Sequence, residues 1–194
     1  MPDVKRDAEG RRPRNAAATR EAILQSALIA FTRAGYEGVG VREIAGEAGV
    51  TAMLVNRYFG SKEKLFSAAV EAAFEDRWLP LEYREGLSKK AAERLATHAL
   101  SAERVNVFML TLRSAPNPQA AIILREGITR HFQSLLAETI GGDAAEERAA
   151  LFLSTICGFQ FMRDVLGNRA LAEADELRLA RHLERMFDVL VKAE

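Results

Sequence analysis

The chain has 194 residues and carries 27 Lys and Arg against 27 Asp and Glu, a formal net charge of zero that argues against a nonspecific nucleic-acid coat. A single cysteine excludes an intrachain disulfide, and the sequence has no signal-peptide core and no apolar run able to span a bilayer, so the protein is expected in the cytoplasm without a membrane partner. The length fits one small module and one larger domain.

The first 18 residues hold Lys5, Arg6, Arg11, Arg12 and Arg14 among Pro, Gly, Asp and Ala, and they read as a disordered basic arm. Such an arm reaches into a minor groove or along phosphates, or it is simply a solvated tail. Residues 1–67 carry 11 Lys and Arg against 8 Asp and Glu, whereas residues 68–194 carry 16 against 19. Positive charge therefore collects toward the N-terminus.

Residues 41–63, VREIAGEAGVTAMLVNRYFGSKE, are the most informative stretch. Val41, Ile44, Ala45 and Ala48 recur at helical spacing and predict a short helix over 41–48 with one buried stripe. Gly49 ends it, because a left-handed backbone costs glycine little. Val50 plugs the corner, and Thr51 is placed to N-cap the next helix. Val55 and Phe59 lie four apart and anchor that helix to the core. On a wheel of ~100° per residue, Met53 and Arg57 then point away from the core, flanked by Asn56 and Leu54.

This is the pattern of a helix-turn-helix whose second helix enters DNA. A helix about 10 Å long fits a major groove about 12 Å wide. Asn pairs bidentately with adenine, Arg with guanine, and Met, Leu or Ala covers a thymine methyl. Tyr58 and Lys62 sit at the far end, where phosphate contacts set the docking angle. Plainer readings stand beside these: Met53 and Leu54 packed on the first helix, Arg57 as a solvated charge, Asn56 on phosphate or water, Tyr58 in the core.

The rest of the chain reads as all-α. Ser61 caps a lever helix carrying Leu65, Phe66, Ala69, Val70, Ala73, Phe74 and Trp78, apolar on two sides and ending before Pro80. Residues 82–100 are only weakly periodic. Val105, Phe108, Met109 and Leu112 mark a helix that stops at Ala115-Pro116-Asn117-Pro118, and Ile122 to Ile140 mark one helix over 119–140. Asp143 with Glu146 forms a capping-box-like start for a helix running to Leu166, and a last helix carries Leu179, Leu183, Met186, Phe187 and Leu190.

The chain resembles the TetR family of transcriptional regulators. The resemblance rests on Ile23, Leu24, Ala27, Phe31, Gly35 and Tyr36 in residues 19–41, on VREIAGEAGV, and on Tyr58, Phe59, Lys62, Glu63 and Leu65 in NRYFGSKEKLF. It covers residues 19–66, about a quarter of the chain. It implies a three-helix DNA-binding module at residues 19–63 and a helical effector-binding and dimerisation domain at 64–194. Three departures concern the reading surface. Gly40 stands where the family usually has Ser or Thr, Ala52-Met53-Leu54 replaces a Lys-Gly-Thr-like run, and Asn56 replaces an aromatic.

The resemblance also implies a homodimer paired through the helices near 146–166 and 176–192, and the apolar character of the first supports it. A dimer doubles the contacts of one short helix on a double-stranded pseudo-palindromic operator. A small hydrophobic effector that splays the reading heads would make the protein a repressor released by its ligand. Phe74, Trp78, Phe108, Met109, Phe132 and Phe159 are the apolar pocket candidates, with Arg113, His131 and Gln160 as polar ones. The alternative is an architectural or partner-binding protein on the same fold.

No cofactor or catalytic group is expected. His98, His131 and His182 are isolated and lack metal-ligand spacing, and no phosphate loop or nucleophile elbow is present. Cys157, within an apolar helix, reads as a buried small hydrophobe.

Overall fold

A computed structural model of the protein describes residues 11–75, 84–97 and 107–192. Among these residues there are eleven α-helices, two π-helical turns and no strand, and none of the helices is long and apolar enough to cross a membrane. Trp78 and Pro80 lie outside the described residues. The chain divides into two compact units, one comprising residues up to Ala73 with Met109–Leu124, the other Phe74–Phe108 with Arg125 onward.

The first unit is built on α1 (Arg11–Ala34), α2 (Val41–Glu47), α3 (Ala52–Phe59) and most of α4 (Lys62–Glu75). Ile23, Leu24, Ala27, Leu28 and Phe31 recur on one face of α1 and are buried, as are Ile44 and Ala45, Val55 and Phe59, and Leu65, Phe66 and Ala69. Phe66 meets Phe31 and Tyr36 edge-on, each with ring centroids 5.0 Å apart, which fixes α4 to α1. The helix α1 begins at Arg11, so residues 11–18 of the stretch expected as a disordered arm are helical. Three consecutive alanines, Ala16 to Ala18, and the neighbouring arginines are strong helix formers and extend the amphipathic segment backward.

The same unit contains the end of α6 (Val107–Ser114) and the start of α7 (Pro118–Ile128). Arg113 Nη1 donates to the carbonyls of Thr32 and Arg33, both at 2.7 Å. Those are carbonyls of the last turn of α1, which have no partner inside their own helix.

In the second unit α5 (Leu87–Thr97) packs against α11 (Glu176–Val191). Leu87, Ala91, Ala92 and Leu95 are buried on the first, and Ala180, Leu183, Phe187 and Val191 on the second. Phe152 of α9 (Ala145–Gln160) stacks on Phe187 at 4.1 Å. The short helices α8 (Ser134–Ile140) and α10 (Arg169–Ala172) complete it.

Two buried arginines tie this unit together. Arg148 donates from Nη1 to Leu190 O and from Nε to Asp143 O, both at 2.9 Å, and from Nη2 to Gly141 O. Arg163 donates from Nη1 to Leu95 O at 2.6 Å and from Nε to the Asp164 carboxylate at 2.7 Å, while its guanidinium lies 4.7 Å from the Phe159 ring centroid. Each planar fork satisfies carbonyls of a helix's last turn, Leu190 for Arg148 and Leu95 for Arg163, and Arg148 also holds loop carbonyls between α8 and α9.

Three local expectations are refined or corrected here. Residues 119–140 are helical throughout, with a π turn at Thr129–Gln133 between α7 and α8. Buried Phe132, Leu136 and Ile140 keep a spacing of four through it, so the extra residue leaves no mark on the apolar pattern. The capping box at Asp143 does not form. Ala144 takes the N-cap position at φ 50° with no side-chain cap bond, and the Asp143 carbonyl goes to Arg148 instead. Cys157 is exposed rather than buried, on the face of α9 opposite the core residues Phe152, Ile156 and Phe159.

Candidate nucleic-acid interface

The turn between α2 and α3 forms from local chemistry. Gly49 adopts φ +66°, a region that L side chains avoid, and Val50 N donates back to Ala45 O at 2.9 Å to close the corner. Thr51 Oγ1 accepts from Leu54 N at 3.3 Å, capping α3. Gly40 occupies the N-cap of α2 in an extended conformation, without a side-chain cap bond, and is exposed.

With Val55 and Phe59 buried, α3 turns a defined face outward. Met53 is 79% exposed, and Asn56, Arg57 and Thr51 are exposed as well. Ala52, Leu54 and Tyr58 are half-buried at the flanks. Met53 therefore does not pack on the first helix, while Leu54 and Tyr58 divide their surface between the module and solvent.

At the end of α3 the chain turns through Ser61, whose Oγ accepts from Lys64 N at 3.2 Å and starts α4. Lys62, half-buried, places its ammonium 4.5 Å from the centroid of the Tyr36 ring. Glu63 is held below the ordinary carboxylate range by hydrogen bonds from Ser61, its own backbone and Tyr36. The Tyr36 phenol is pushed up to about 12, first by burial and then by the charge of Glu63 and the bond to it. Arg20, which no spacing in the sequence singles out, lies with its guanidinium 4.9 Å from the Phe59 ring centroid. Its ring partner is 39 positions away, so only the fold brings a second cation to the end of α3.

The effector candidates divide into groups. Phe74 is fully buried and meets Phe132 edge-on at 5.2 Å and His131 at 6.0 Å. Phe159 instead lies under Arg163. Phe108 and Met109 are half-buried on α6 and fall in different compact units, and Gln160 is half-buried. Arg113 is occupied as the cap of α1. On α9 and the π turn Phe161–Val165, Leu151, Cys157, Gly158, Phe161, Met162 and Val165 are exposed, as are Met186 and Val189 on α11.

Comparison with known proteins extends the local picture to most of the chain. Residues 23–69 match the family described as bacterial regulatory proteins, tetR family, and residues 89–191 match the tetracyclin repressor-like C-terminal domain. The HTH-type transcriptional regulator RutR of Escherichia coli strain K12 is 39% identical over 85 residues, which are 43% of this chain and 40% of RutR. The chain thus spans about two fifths of that relative's length. A TetR-family regulator from Streptomyces coelicolor A3 is 26% identical with a TM-score of 0.60, covering 90% of this chain and 94% of its own. The multidrug binding protein EbrR, complexed with ethidium, shares the fold at 20% identity and a TM-score of 0.63, over 89% of this chain and 98% of its own. With the capped turn and α3 inside the first matched range and the C-terminal helices α5 to α11 spanning the second, the chain belongs to the TetR family of bacterial regulatory proteins.

Proposed function

We propose that this protein is a homodimeric transcriptional repressor that reads a pseudo-palindromic operator with α3 and is released by a small hydrophobic ligand. The observation that carries the DNA-binding part is the outward set Met53, Asn56 and Arg57 on a helix held by buried Val55 and Phe59 and capped by Thr51. An amide, a guanidinium and a thioether on one short helix suit an adenine, a guanine and a thymine methyl in a major groove. Lys62, Tyr58 and Arg20 at its end, with Thr51 at its start and Gly40 at the start of α2, fit the backbone contacts that orient such a helix.

The dimer is supported by the apolar stripe that one chain leaves in solvent, Leu151 through Val165 on α9 and its π turn with Met186 and Val189 on α11. Such a stripe is costly to expose and marks an association surface. The effector site is assigned to the aromatic cluster of Phe74 and Phe132, with Phe108 as further lining. An apolar ring set favours a hydrophobic or amphipathic ligand.

The test is selection of duplexes from a random-sequence library by the full chain, followed by affinity measurement with a panel of lipophilic compounds. Recovery of a two-fold symmetric site, with binding weakened by at least one compound, is the expected result. Enrichment of no sequence overturns the DNA-reading assignment. A recovered site indifferent to every compound, yet responsive to a protein partner, overturns the ligand-released repressor in favour of a partner-binding regulator.

A further inference from the structure

The segment 113–117, between α6 and α7, closes on the turn that follows α1, almost eighty residues earlier in the chain. Tyr36 N donates to Ser114 Oγ at 3.0 Å in a buried bond, and Ser114 is 1% exposed. Arg113 holds the Thr32 and Arg33 carbonyls, and Asn117 Nδ2 donates to the Glu37 carboxylate. Gly35 lies between these contacts at φ +73°, and a Cβ there would run into the Arg113 carbonyl oxygen. The close approach leaves the turn no room to shift independently of the segment.

Tyr36 is also the residue that carries Lys62. Its ring is packed against Phe66 edge-on and stacked on Phe31 at 6.1 Å, and the Lys62 ammonium sits on it at 4.5 Å. A cation on a ring is confined to the ring face but keeps N–H donors free for an oxyanion. Lys62 is the first residue of α4, where the helix dipole already favours a phosphate. The ring position thus decides where that charge stands. The ring position, in turn, is set by the backbone bond from Tyr36 to Ser114.

We infer that Ser114 and Arg113 are positioning residues for a DNA-phosphate contact of Lys62, acting through Tyr36. The inference rests on the proposed phosphate role of Lys62 and adds residues outside α3 and α4, almost eighty positions from the turn they hold. It makes the turn after α6 part of the DNA-binding module in function as well as in packing.

The experiment has two readouts on the full chain. The first is the NMR shift of the Lys62 ε-methylene protons, which the Tyr36 ring current moves upfield. The second is the salt dependence of affinity for a duplex recovered by random-library selection. Arg113→Gln and Ser114→Ala should return the Lys62 shift toward that of a solvated lysine and lower the salt slope. Lys62→Ala alone should lower the slope by about one, and Arg113→Gln added to it should lower it no further. Tyr36→Phe keeps the ring and should keep the Lys62 shift, whereas Tyr36→Leu should abolish it. Ser114→Thr retains the hydroxyl and should restore the native values if Ser114→Ala does not fold.

An unchanged slope in Lys62→Ala sinks the phosphate role, and the NMR shift still reports whether Ser114 and Arg113 place the ammonium. A lowered slope in Lys62→Ala, with the Lys62 shift and slope both native in Arg113→Gln and in a folded Ser114→Ala, overturns the inference while leaving the phosphate role standing.

Discussion

Arg20 and Phe59, 39 residues apart, meet at the C-terminal end of α3 with the guanidinium 4.9 Å from the ring centroid. The contact places a positive charge where the carbonyl end of the helix favours one. It also leaves an exposed arginine at the end of α3. Arg20→Ala is expected to weaken binding to all duplexes alike and to reduce the salt slope by about one. Thermal stability should fall by no more than ~1 kcal/mol, the usual size of an exposed cation–π contact. Fluorescence anisotropy across a salt series measures the first, and thermal unfolding the second.

Arg57 is exposed on the outward face, so its removal leaves the fold intact. Arg57→Ala should cost about 1–3 kcal/mol on the selected site and relax the preference at one base pair. Parallel selections with wild type and variant give the comparison. An equal loss on random duplexes would reassign Arg57 to the backbone.

Gly158 is exposed on α9, and a Cβ added there would meet nothing within 4 Å in the single chain. Gly158→Arg should therefore leave the monomer folded, yet insert a charge into the proposed subunit contact. Sedimentation is expected to show a monomer, and far-ultraviolet circular dichroism an unchanged helical content. A variant that remains dimeric would place the interface elsewhere.

Arg163 and Asp164 form a pair whose side chains are 7% and 8% exposed. Arg163→Ala leaves the carboxylate and the Leu95 and Ala96 carbonyls buried without the guanidinium. Breaking a buried pair from one side costs about 3–5 kcal/mol. Urea unfolding should show a loss of that order, partly recovered by Asp164→Asn in the same chain because the uncompensated charge is removed.

Tyr36 ties alkaline stability to the module. Its phenol is raised from 10.0 to about 12, chiefly by burial. The unfolded chain therefore ionises first. The stabilisation is complete below pH ~10 and is lost as pH rises through about 12. Urea midpoints should decline across that window, and the decline should be smaller in Tyr36→Phe.

The sequence by itself determined the parts whose partners are near in the chain. Gly49 ends α2, Thr51 caps α3, Ser61 starts α4, and the spacing of Val55 and Phe59 turns Met53 and Arg57 outward. These depend on backbone conformation and on neighbours within a turn or two, so residue type and spacing suffice. Only the tertiary structure decided the rest. Asp143 does not cap α9 because Ala144 takes the N-cap position, and Arg148 and Arg163, which no motif singles out, are buried with their guanidiniums on backbone carbonyls. Cys157 faces outward because Phe152, Ile156 and Phe159 take the core side of α9. Ser114 reaches Tyr36, and Arg20 reaches Phe59, across separations that carry no periodic signal. The recognition helix was legible because it is local, while the contacts that hold its flanking cations were not, because packing between distant segments sets them.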